Sequence, residues 1–184
     1  MNLLQLQSLL ASKFNFEFLV PGTHKTHKFL DAKEYKSGFT YCEYLWYAEI
    51  LPIKKQTAIL ALGNLSDDVN SEKYMKCLFG ILDPERSNFM DYKIFIIKND
   101  PIFKLLSNFD MFINDKSICL DGIGYSITVI TKKLETNFIF NNPMDQKLRE
   151  IEKVVFQLSK TIAYESKTKL LNDFMKEWEC YLNR

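Results

Sequence analysis

The stretch from Phe39 to Ile53 constrains the fold more than any other part of the chain, because its residues are apolar, aromatic or β-branched on both alternating faces. Phe39, Tyr41, Leu45, Tyr47 and Leu51 fall on one face, and Cys42, Tyr44, Trp46, Ala48 and Ile50 on the other. A strand of this kind has no side to give to water, so it must be covered on both. Lys54-Lys55-Gln56 can then turn the chain into Thr57–Leu62, closed by Gly63-Asn64, which makes the two runs an antiparallel pair.

Further strands are expected at Tyr92–Ile97, ended by Asn99-Asp100-Pro101, and at Ser117–Leu120, Tyr125–Thr131 and Asn137–Asn141. Asp121-Gly122 and Lys132-Lys133 sit where that last meander must turn. Asn15–Val20 alternates and stops at Pro21-Gly22, as a strand and turn would. Ser71 can cap a short helix running through Leu78 and stopping at Gly80. Residues 102–113 are ambiguous, a helical turn leading into a strand.

Helical spacing is clearest at the two ends. Leu3, Leu6, Leu10 and Phe14 share one face near the start. After Asn142-Pro143, Asp145 lies in the first turn of a helix whose inner face is Leu148, Ile151, Val155, Leu158 and Ile162. Leu170, Phe174, Trp178 and Tyr181 follow out of phase, which predicts a second helix after a break between Tyr164 and Lys167. The architecture implied is α+β: an antiparallel or mixed sheet of about five to seven strands, with an N-terminal helix and a C-terminal helical hairpin. No linker, repeat or low-complexity tract interrupts it, so residues 1–184 read as a single domain.

Composition narrows the functional classes. Basic and acidic residues number 24 and 23, so the overall field does not draw in polyanions. Arginine occurs only at Arg86, Arg149 and Arg184, which further disfavours nucleic acid as a partner. The first residues read as an amphipathic helix and not an export signal, and no apolar run is long enough to cross a bilayer. Cys42, Cys77, Cys119 and Cys180 are too dispersed for a ligand motif and read as reduced thiols, which places the chain in the cytoplasm by expectation.

Individual site signals are thin. His24 and His27 are spaced for one helix face, but a metal needs further ligands and only Asp31 and Glu34 lie near in sequence. Pairing either histidine with a nucleophile such as Cys42 lacks an identifiable third group. Lys25, Lys28, Lys33 and Lys36, interleaved with Phe29 and Tyr35, resemble a strand-binding groove but read more simply as a solvated face. The Gly122-Ile123-Gly124 sequence precedes a strand and not a helix, so its glycines belong to a turn or bulge. Asp67-Asp68 and Asp83-Pro84-Glu85 are loop acids of the solvated or capping type.

Tyr41, Tyr44, Trp46 and Tyr47, with Glu43 and Glu49 among them, combine contact area with polar tips, the chemistry enriched in protein interfaces. The expectation is a protein-interaction protein, of the inhibitor or immunity type that neutralises a toxin or enzyme by covering it, with those residues binding the partner and no cofactor. Two alternatives stand beside it. One is an enzyme using dispersed acid and base residues, and the other is a weak nucleic-acid binder acting through the Lys25–Lys36 segment.

Overall fold

The computed structural model describes residues 3–15, 41–52, 56–66, 73–102, 105, 122–131 and 135–182. Helix α1 (Leu3–Phe14) precedes strands β1 (Tyr41–Pro52), β2 (Ala58–Ser66), β3 (Tyr74–Leu82), β4 (Phe89–Ile97), β5 (Ile123–Thr131) and β6 (Glu135–Asn141). Helices α2 (Gln146–Ser166) and α3 (Lys169–Leu182) close the chain. The strands form one six-stranded sheet in the order β4-β3-β2-β1-β5-β6, and every pairing is antiparallel. The expected strand at 15–20 lies outside the described residues except for Asn15, which has φ 62° at the end of α1, and the strand at 117–120 and nearly all of the ambiguous stretch at 102–113 also lie outside them.

β1 occupies the interior of the sheet because its two apolar faces need two covers. Trp46, Ala48 and Ile50 pack into a core shared with α2 and α3, while Leu45 and Tyr47 pack into a second core beneath α1. Leu6, Leu10, Ala11 and Phe14 supply the buried stripe of α1, as their spacing requires. The carbonyl of Phe14 at the helix end accepts a hydrogen bond from Lys76 Nζ at 3.2 Å, a cation placed where the helix dipole favours it.

The helical hairpin follows its sequence signals closely. Asp145 caps α2 by accepting from the Lys147 and Leu148 amides at 2.8 and 3.1 Å. Lys167 adopts the left-handed conformation that ends it, so the predicted break holds. On the sheet side, Trp178 meets Phe156 edge-on at 5.1 Å and Phe174 at 6.1 Å. Edge-to-face rings fill the space between helix and sheet with favourable quadrupole contacts.

Two expectations fail in the middle of the chain. β2 does not close at Gly63-Asn64 but pairs through both to Ser66, Gly63 standing opposite Leu45 beneath the ring of Phe14. The stretch after Ser71 is not a helix: Tyr74–Leu82 is β3, paired on both sides. Its Cys77, Phe79 and Ile81 enter the core under α2 and α3, while Leu78 and Leu82 enter the core under α1. A strand buried on both faces has no alternation to read, and so imitates an apolar helix. Gly80 is no stop signal either. A Cβ there would lie 2.6 Å from Tyr92 Cβ and 2.7 Å from a Phe89 ring carbon, so glycine lets β4 close against β3.

Candidate functional site

The β1 residues expected to meet a partner divide sharply. Trp46 and Tyr47 are wholly buried, since β1 has a strand on each edge and a helical layer on each face, and both therefore build core. Tyr41 stands opposite Ser66 of β2, whereas Glu43 falls at the register shift between Cys42 and Tyr44 and has no pairing partner among the described residues, and the side chains of both lie outside those described. Tyr44 and Glu49 are half-buried and reach the surface on opposite faces.

On the α2–α3 face, Asp100 gathers β1. Its Oδ2 accepts from Tyr44 Oη at 3.0 Å and from Trp46 Nε1 at 2.9 Å, while Oδ1 accepts from the Ile102 amide at 2.9 Å. One carboxylate thus satisfies a buried indole and starts the crossover that follows β4. The sequence showed Asp100 only as part of a strand-ending Asn-Asp-Pro, and the signal that pairs it with two aromatics 54 and 56 residues away is absent from local spacing.

On the α1 face, Glu49 Oε2 receives Arg86 Nη2 at 2.9 Å. Arg86 is delivered by the turn between β3 and β4, where it adopts φ 58°. Asp83 holds that turn by accepting from the Ser87 amide and hydroxyl and from the Asn88 amide, the capping role expected of a loop acid. Burial raises the Glu49 carboxyl above the usual glutamate value, and the Arg86 guanidinium opposes the rise. The pair ties the turn to the sheet across β2.

A third polar group lies within the main core. Trp178 Nε1 donates to Tyr125 Oη at 3.0 Å, and the Glu152 carboxyl lies close to that hydroxyl. Burial pushes both the Tyr125 phenol and the Glu152 carboxyl up. Tyr125 is stacked on Phe140 at 5.0 Å and wholly buried, so its hydrogen bond with Trp178 joins α3 to β5 as a structural link. Beneath α1, the Tyr47 hydroxyl lies near Thr128 and Gln7 without a well-formed hydrogen bond to either, and burial raises its pKa to about 12.

The remaining features are surface ones. A shallow groove of about 460 Å³ runs between α2 and α3, lined in part by Lys160, Tyr164, Lys176 and Glu179. Lys160 is paired with Glu179 at 2.8 Å and Lys176 with Asp173 at 3.2 Å, which leaves the groove little free positive charge for an anion. Among the described residues no group of three or more His, Cys, Asp or Glu side chains can hold a metal. His24, His27 and the lysines at 25 to 36 lie outside those residues. Gly122 has φ 156° and faces Asn142, whose side chain occupies the space a Cβ would need, in keeping with the turn reading, whereas Gly124 is a regular residue of β5 paired to Leu51 and Asn141 and belongs to neither turn nor bulge.

β4 and β6 are the two margins of the sheet; β6 exposes one large apolar side chain, Ile139, and β4 exposes three. Met90, Tyr92 and Ile96 are 50%, 38% and 71% exposed, and they make up half of the exposed large apolar side chains among the described residues. Tyr92, Ile94 and Ile96 share the α1 face. No described residue pairs with the outer edge of β4. The sequence marked this strand by composition, but its place at the margin follows only from strand order. No family model matches the chain, and neither the curated proteins nor the solved structures yield a significant match. No helix among the described residues is long and apolar enough to cross a membrane.

Proposed function

We propose that the chain acts by binding another protein, and that β4 is where it binds. The observation that carries this reading is the concentration of exposed apolar side chains on a strand whose outer edge pairs with no other described residue. An extended segment laid beside β4 gains main-chain hydrogen bonds from the edge turned away from β3 and apolar contact from Met90, Tyr92 and Ile96. Natural sheets guard such edges with charge, proline or a cover, and β4 has no proline and only Asp91 and Lys93 as charges. An inhibitor or immunity-type protein, which neutralises a toxin or enzyme by covering it, is the form of this function the sequence suggests. In that form the target itself would cover β4. The partner surface therefore moves from the centre of β1 to the margin of the sheet, where side chains are available.

The enzyme alternative draws less support, because the Asp100 and Glu49 carboxylates hold parts of the fold together. Photo-crosslinking decides the matter. A photoreactive residue replaces Ile96 in the full-length chain, expressed in its native cells, with a second version carrying it at Tyr164 on the helical hairpin. The expected result is a discrete protein adduct from position 96 and none from position 164. Equal, diffuse labelling from both positions removes the reading.

A further inference from the structure

Resting on that reading, we propose that with no other partner present the β4 edge is covered by β4 of a second copy, the strands running antiparallel about a two-fold axis through Tyr92. The argument begins with parity. An antiparallel edge-to-edge pair is related by a two-fold axis normal to the sheet, which keeps the α1 face of each copy on the same side. A residue can then oppose only residues that point to its own face, so the axis must pass through a residue and not between two.

Charge chooses among the remaining registers. An axis through Lys93 sets the two copies of Lys93 against each other, and an axis through Asp91 does the same with the two aspartates. An axis through Ile94 places Asp91 opposite Ile97 and Lys93 opposite Phe95. Only the axis through Tyr92 opposes Asp91 to Lys93 of the second copy, and by symmetry does so twice. It also sets Met90 against Ile94 on the other face, again twice, and Tyr92 against itself. Opposite charges, aromatic pairs and apolar pairs directly across an antiparallel ladder are the stabilising combinations. Asp91 and Lys93 are the only charged residues of β4, so this register turns the strand's one guarding lysine into an attractive contact. The product is a continuous twelve-stranded sheet, with both α1 layers on one side and both helical hairpins on the other.

The test is analytical ultracentrifugation of the full-length protein from about 1 to 100 μM, a range suited to a standard weak interface. Wild type is expected to dimerise. Lys93→Asp alone and Asp91→Lys alone replace both attractive pairs by repulsive ones and should weaken association by about tenfold or more. The double variant Asp91→Lys/Lys93→Asp restores the pairing with its signs exchanged and should recover most of the affinity. Lys93 is exposed and Asp91 half-buried, and circular dichroism checks that each variant keeps the fold. A wild type monomeric throughout the range overturns the proposal, as does a dimer indifferent to the single reversals. If that monomer still crosslinks another protein through position 96 in its native cells, self-pairing fails while the docking reading stands.

Discussion

Asp100→Ala tests the carboxylate that holds β1 to the chain leaving β4. Trp46 is wholly buried, and its indole N–H would lose an acceptor that water cannot replace. A hydrogen bond to a charged acceptor contributes about 1.5 to 3 kcal/mol net, and a buried donor left alone costs a similar amount. Tyr44 is half-buried and its hydroxyl can turn to water, which limits that loss to about 0.5 to 1 kcal/mol. The Ile102 amide adds about 1 kcal/mol. Together these give a loss of about 3 to 5 kcal/mol, or roughly 6 to 20 °C in Tm for a chain of this size. Urea denaturation followed by circular dichroism measures it. A double-mutant cycle with Trp46→Phe isolates the central bond, and its coupling should be about 1.5 to 3 kcal/mol. A loss under about 1 kcal/mol for Asp100→Ala, or a coupling near zero, refutes the account.

Tyr47→Phe removes a buried hydroxyl that forms no good hydrogen bond, so stability should be unchanged or rise by up to about 1 kcal/mol; a loss above about 2 kcal/mol shows the hydroxyl is engaged. Glu49 has a raised carboxyl pKa in the fold, so the native state binds more protons than the unfolded chain, and its contribution falls as pH rises from the ordinary glutamate value through the folded one. Stability curves of wild type and Glu49→Gln, measured across that window, should shift in favour of the glutamine variant with rising pH; a shift the other way contradicts burial as the dominant influence. Cys180 is exposed whereas Cys77 is wholly buried with its thiol pushed up by desolvation, so an aromatic disulfide reagent should label Cys180 at once and Cys77 only on unfolding. Rapid native labelling of Cys77, seen by peptide mass spectrometry, is the contrary result.

The elements legible in the sequence are those whose periodicity reports a single buried face. Leu6, Leu10 and Phe14 mark α1, and Leu148, Ile151, Val155 and Ile162 mark α2, because each stripe meets one layer. β3 was misread because a strand with a core on either side loses its alternation, and Gly80 gave the wrong punctuation. Burial on both sides likewise explains why Trp46 and Tyr47 seemed available for a partner: composition shows contact chemistry but not which neighbours already use it. Asp100 and Arg86 act through partners 54 and 37 residues away, and such pairings depend on strand order. The marginal place of β4 is a property of topology, which no local pattern encodes.

The place of β1 between β2 and β5 also governs the order in which the molecule can be assembled. β2 is available soon after β1 leaves the ribosome, but β5 begins only at Ile123, so one side of the most apolar strand waits for most of the polypeptide to be made. At about 5 to 20 residues per second, that interval lasts several seconds. Gln7 of α1 hydrogen-bonds Glu135 at the start of β6, so the first helix is fully seated only when the last strand arrives. The nascent protein therefore carries an open, sticky seam for much of its synthesis, and its yield in cells should depend on chaperones that bind while translation proceeds.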